Sequence, residues 1–268
     1  MGQPEPFFSV PRTTKQTSEG PVELPILYYD TTSVVAGFFG DLAAATAEVA
    51  PLGLRPALTR KNRSAVFIAG YDYRLTTVGP YFEVAIAIPV VQHDAPKKFR
   101  WNQMLADVDG GRDLAFHILH LPVSTAAANA AGRDIWGFPK FVTKMDVQAN
   151  ARDIVVQVED PDGGEKIMNL QGSVGLSVPS PALSLLLYSE LDGDLVRSTA
   201  NVRGVNKLYP TNGLRLTVGA SEHPMAQTLR RLDLDGAKPW NLMATHRFQS
   251  RLNDGVVVKS QKRAEASS

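Results

Sequence analysis

Short apolar runs rich in β-branched and aromatic residues dominate the chain, and their boundaries predict strands far more often than helices. Ser64–Tyr73, Tyr81–Val90, Leu114–Val123, Asp153–Val158 and Leu214–Val218 all read this way. Asp160-Pro-Asp-Gly-Gly164 predicts a hairpin turn into a strand over Lys166–Gln171. Leu191-Asp-Gly-Asp194 predicts another, between Leu183–Glu190 and a strand starting at Leu195. Helical spacing is rarer. Thr32–Val49 carries it, interrupted by Gly37 and Gly40. Ser124–Ala131 is a short Ala-rich helix with Ser124 as its N-cap, stopped by Gly132. Pro224–Leu232 starts on a proline, which suits a first turn. Many strands, few helices and no regular βα alternation predict an α+β fold, mainly antiparallel β or a barrel, rather than a doubly wound sheet. Residues 1–20 and 259–268 are polar and lack apolar periodicity. They are expected to be an N-terminal arm and a disordered tail around a single domain over 21–258.

A chain of 268 residues with 44% hydrophobic and 21% charged residues can bury one sizeable core. A net charge of +1 points to neither nucleic acid nor an anionic membrane as partner. The absence of cysteine excludes disulfides, thiolate catalysis and Cys-ligated metals, and fits a cytoplasmic location. Apolar stretches such as Val84–Val91 are too short for a membrane-spanning helix. The histidines 93, 117, 120, 223 and 246 form no cluster with metal-ligand spacing, so no metal is expected. His117 and His120, three apart in a strand, should face opposite sides. Asp109-Gly-Gly-Arg112 lacks the glycine spacing of a phosphate loop, and no Gly-x-Ser-x-Gly elbow is present.

The segment with chemical content is Gly132-Arg-Asp-Ile-Trp-Gly-Phe-Pro-Lys140. A glycine-containing turn and a proline of fixed φ hold Lys140 beside two aromatic rings, Trp136 and Phe138. A free lysine amine has a pKa of about 10.4 and is neutral roughly once in 2,500 at pH 7. A nucleophilic lysine therefore needs apolar walls or a neighbouring cation that disfavour the charged form.

This segment resembles the "GRE…(Y/F)PK" stretch of acetoacetate decarboxylases, in which the lysine after the proline forms the Schiff base. Tyr81-Phe-Glu83 is similar to the family's Tyr-x-Glu, whose glutamate lies in the active site. Leu214–Leu252, with His223-Pro, Trp240-Asn and Thr245-His246, is similar to its C-terminal stretch. The resemblance implies a cone-shaped antiparallel β-barrel with a few flanking helices, usually in a homo-oligomer. It also implies a cofactor-independent lyase acting on a keto-acid substrate. Lys140 would form the iminium and Glu83 would move protons. Trp136, Phe138 and Phe141 would dry the pocket, and Arg133 would contact substrate.

Three departures argue against strict acetoacetate specificity. Phe141 stands where those decarboxylases carry a second lysine, Ile68 where they carry a further glutamate, and residues 20–27 offer no arginine. Aldol condensation–dehydration with a pyruvate-like keto acid is the other expected reaction. A barrel that binds a small ligand without turnover is the alternative from a different class. Alternation alone does not place Glu83 inside the barrel, because it shares a face with Tyr81 and Ala85.

Overall fold

The computed structural model describes residues 5–95 and 113–260. Seven strands close into a barrel: Ile26–Asp41, Arg63–Thr76, Tyr81–Gln92, Ala115–Val123, Leu185–Leu191, Asp194–Arg203 and Asn241–Leu252. Each pairs with the next, and Asn241–Leu252 returns to pair with Ile26–Asp41. All these pairings are antiparallel except that of Leu185–Leu191 with Ala115–Val123. Closure removes the free edges that a sheet of this size would otherwise expose.

Strand alternation divides the side chains. On Arg63–Thr76, Phe67, Ala69, Tyr71 and Tyr73 face the barrel interior, while Val66 and Ile68 face out. Val66 and Ile68 nonetheless do not meet water. A second sheet, ordered Met145–Ala149, Asp153–Glu159, Lys166–Ser173 and Arg215–Val218, packs across them. Val34, Ile68 and Ile86 of the barrel share one core with Val147, Val156 and Leu170 of that sheet. Each such fully buried aliphatic side chain contributes roughly 1.5–3 kcal/mol relative to exposure. Helices α1 (Leu42–Val49) and α3 (Pro224–Arg231) close the same core through Val49 and Leu229. The Asp41 side chain caps α1 by accepting from Ala44 N at 2.8 Å.

The expected α+β, mainly antiparallel fold is what forms, and both predicted hairpins are present. The helix expected over Thr32–Val49 is instead strand up to Asp41, and only Leu42–Val49 is helical. Residues 34–38 are covered on both faces, by the second sheet outside and the barrel contents inside. The alternation that marks a strand is therefore absent from their sequence. Gly132 does not stop the helix expected over Ser124–Ala131. Helix α2 (Ala126–Trp136) is capped by Thr125, runs through Gly132 and ends at Gly137. From Thr13 the expected arm forms a hairpin, Thr13–Thr17 with Gly20–Leu24. The strand Val256–Ser260 pairs with Asp194–Arg203 and takes in the first residues of the expected tail. Residues 261–268, residues 1–4 and Asp109–Arg112 lie outside the described residues. Among the described residues no helix is long and apolar enough to cross a membrane.

His117 and His120 do not face opposite sides. A bulge at Leu119 shifts the register between Ile86–His120 and Ala87–Ile118. Phe116, Ile118 and Leu121 therefore point inward. His117 reaches Tyr188 O at 3.1 Å, and His120 reaches Thr228 Oγ1 of α3 at 3.0 Å, both outside the cavity.

Candidate active site

The barrel encloses a cavity of about 190 Å³. That is many times the ~10–15 Å³ one water requires. Lys140 and Glu83 meet at the end lined by Tyr73, Tyr81 and α2. Lys140 Nζ donates to Glu83 Oε2 at 2.7 Å, and the two residues are only 6% and 8% exposed. Glu83 Oε1 accepts from Tyr73 Oη at 3.2 Å. Tyr28 and Tyr81 share a hydroxyl hydrogen bond at 3.3 Å, and Lys140 Nζ stands 5.6 Å from the Tyr81 ring centroid.

Local chain geometry explains how the lysine arrives there. Gly137, at φ 67°, ends α2 in the left-handed conformation, and its amide donates to Arg133 O. The turn over Phe138 and Pro139 follows, with Lys140 N donating to Phe138 O at 2.7 Å. The strand Lys140–Val142 then pairs in parallel with Leu121–Val123. Lys140 points back across α2 at Gly132, where a Cβ would stand 2.3 Å from Cε and 2.4 Å from Cδ. Only glycine leaves room for the stem at that point.

Burial, followed by the Glu83 carboxylate, pushes the hydroxyls of Tyr71, Tyr73 and Tyr81 up from their ordinary pKa. Tyr28 shifts the same way for the same leading causes. These hydroxyls stay protonated at neutral pH and can donate to an oxyanion or carboxylate. Asp30, well away from the cavity, is shifted down by its hydrogen bonds from Arg74.

The residues singled out from the sequence divide into two groups. Lys140, Glu83, Trp136 and Phe138 all line the cavity. Trp136 and Phe138 stack at 5.8 Å between centroids, and Trp136 Nε1 donates to Asn253 O at 3.0 Å. Phe141 and Arg133 are not part of it. Adjacent strand residues point opposite ways, so Phe141 packs on the outer core with its ring 4.4 Å from His223. It cannot dry the Lys140 pocket. Arg133 is exposed, and its Nη1 donates to Lys140 O at 3.2 Å, holding the loop rather than meeting the cavity. Its neighbour Asp134 accepts from Ser18 N and Oγ at 2.7 and 2.8 Å, tying the N-terminal hairpin to α2. Ile68 faces the outer core, and the cavity positions beside it are Phe67 and Ala69.

Sequence reasoning missed Tyr28, Tyr71 and Tyr73 and the role of Gly132. Tyr71 and Tyr73 share the phase of Ala69, but only the register Tyr71↔Glu83 and Tyr73↔Tyr81 reveals that they surround the glutamate. Among the described residues no group of three His, Cys, Asp or Glu side chains could hold a metal.

No functionally curated protein matches the chain. Solved structures do. An acetoacetate decarboxylase from Legionella pneumophila is similar over 96% of this chain and 95% of its own, at 15% identity and a TM-score of 0.66. The enduracididine biosynthesis enzyme MppR, complexed with the condensation product of pyruvate and imidazole 4-carboxaldehyde, is similar over 88% and 89% at 14% identity, with a TM-score of 0.58. An acetoacetate decarboxylase-like enzyme from Sphingomonas wittichii is similar over 89% and 95% at 10% identity, with a TM-score of 0.60. At these identities the likeness establishes the shared fold. The family model described as acetoacetate decarboxylase (ADC) matches residues 9–222, a span that holds both Glu83 and Lys140, and the chain belongs to that family.

Proposed function

We propose that the protein is a Schiff-base-forming carbon–carbon lyase acting on a keto acid, with Lys140 as nucleophile and Glu83 as proton carrier. One observation carries this reading: a buried amine 2.7 Å from a buried carboxylate, at one end of an apolar cavity. Transfer of one proton along that hydrogen bond converts ammonium and carboxylate into amine and carboxylic acid. The amine lone pair attacks the substrate carbonyl carbon, and the carbonyl oxygen takes up the proton that the attacking nitrogen gives up. The carbinolamine loses water with a proton from Glu83, leaving a protonated imine on Lys140. From a β-keto acid, carbon dioxide then departs and its bonding electron pair forms an enamine. Protonation at carbon and hydrolysis return product and amine. From a pyruvate-like acid, Glu83 removes the α-proton and the enamine adds to an aldehyde, with loss of water afterwards. The similarity to MppR with its bound condensation product supports keeping this second branch. Tyr73 holds the second carboxylate oxygen throughout.

Borohydride trapping with acetoacetate or pyruvate tests the proposal. The expected result is a stable mass adduct on Lys140 that is lost in Lys140→Ala. In Glu83→Gln, adduct formation should slow by about 10²–10⁴-fold, the usual contribution of a positioned acid–base group. No adduct with any keto acid would leave a ligand-binding barrel instead.

A further inference from the structure

Beyond the Lys140–Glu83 pair, the cavity is far longer than a small keto acid. From Glu83 its wall continues along the same strand through Ala85 to Ala87. Four residues of strand span about 13 Å. Facing them across the register, Ala69 opposes Ala85 and Phe67 opposes Ala87. Ala200 lines the opposite side of the barrel. Alanine at so many inward positions hollows the barrel out. The far end is walled by Phe67, Phe116, Leu185 and Met243. Away from the tyrosine cluster, the polar groups of the described lining are Ser33, Asn206 and Ser250, all neutral. Lys140 is the one cation and Glu83 the one anion in that lining.

Acetoacetate or pyruvate placed at Lys140 would leave most of this volume facing mainly hydrocarbon, and such surfaces gain when an apolar group replaces water. We infer that the substrate is a keto acid carrying a long apolar substituent, an acyl chain or fused ring, with its carbonyl at Lys140 and its tail running past Ala85 and Ala87 toward Phe67 and Phe116. This inference rests on the proposed chemistry of Lys140 for the carbonyl end only. The tail end stands on the shape and lining of the barrel. Chain length is then the specificity determinant, and Ala85 and Ala87 set it by leaving the channel open.

Borohydride trapping along a series from acetoacetate to 3-oxohexanoate, 3-oxooctanoate and 3-oxodecanoate tests it. Half-saturation of the Lys140 adduct should fall roughly fourfold for each added methylene until the channel is full. In Ala87→Phe the gain from acetoacetate to 3-oxodecanoate should collapse toward unity. A flat series, or a gain that survives Ala87→Phe, overturns the inference while leaving Lys140 as nucleophile. Calorimetric titration with 2-alkanones of increasing length separates the two readings if no adduct forms. Affinity rising with length, and lost in Ala87→Phe, keeps the ligand class and removes the Schiff base. No binding of any 2-alkanone removes both.

Discussion

The stem of Lys140 reaches Glu83 by crossing α2 where Gly132 has no side chain. An added Cβ would meet Cε and Cδ at 2.3 and 2.4 Å, atoms near the far end of a flexible side chain. The cheapest relief moves the lysine, not the helix. Alanine also suits a helix interior better than glycine by about 1 kcal/mol. Gly132→Ala should therefore fold at least as well as the parent but form the Lys140 adduct about 10²-fold more slowly, the effect of a misplacement near 1 Å. Circular dichroism and trapping rates check the two halves, and an unchanged trapping rate would refute the packing argument. The same residue marks a limit of sequence reading. A glycine after an Ala-rich segment looks like a helix stop, because local propensity carries no trace of a lysine arriving from eight residues downstream.

At the scale of elements, the junction of α2 with the strand Lys140–Val142 orients the site. Gly137 sits at φ 67° with its Cα hydrogen facing Glu190, so a Cβ there would stand 1.9 Å from Glu190 O. Neither the left-handed conformation nor the contact with a backbone carbonyl is easily relieved. Gly137→Ala is expected to destabilise the protein by at least about 2 kcal/mol, read as a lower urea midpoint. An unfolding curve matching the parent would show that this junction can rearrange. The strand Ile26–Asp41 teaches the converse about prediction. From Thr32 onward its apolar residues at both parities read as a helical stripe, yet each parity has its own partner, the second sheet on one side and the cavity on the other. Where both faces are covered, the two-residue period that distinguishes strand from helix vanishes. The hairpins at Asp160–Gly164 and Leu191–Asp194 were legible because their turn residues, including Gly163, Gly164, Asp192 and Gly193 at positive φ, act locally.

For the whole molecule, the interface of barrel and α3 carries a pH dependence. Burial, then the neighbouring His223 and Arg231, push the His120 imidazole down to about 4. Burial lowers His117 as well. Below about pH 6.5 the unfolded chain protonates these histidines while the native state resists. The unfolded state then binds more protons, so stability is present above that pH and is lost as pH falls toward 4. His120 alone accounts for up to about 3 kcal/mol across this window. His120→Gln should flatten the fall in unfolding free energy between pH 6.5 and 4, and a slope equal to the parent's would refute the assignment. Asp30, lowered by Arg74, acts only below the ordinary carboxylate range and does not confuse the window. The bulge at Leu119 that turns both histidines outward has no sequence marker, so their shared face emerged only from strand pairing. What the amino-acid order determined by itself is what acts within a few residues: strand-forming runs, hairpin turns, and a turn that presents Lys140 after Pro139. Tertiary structure decided which strand lies beside which, and with that the meeting of Lys140 with Glu83, the ring of tyrosines, the outward turn of Phe141 and the hollow behind Ala85. Those contacts join residues up to dozens of positions apart, and their energy comes from burial in a closed barrel that no short window of sequence contains.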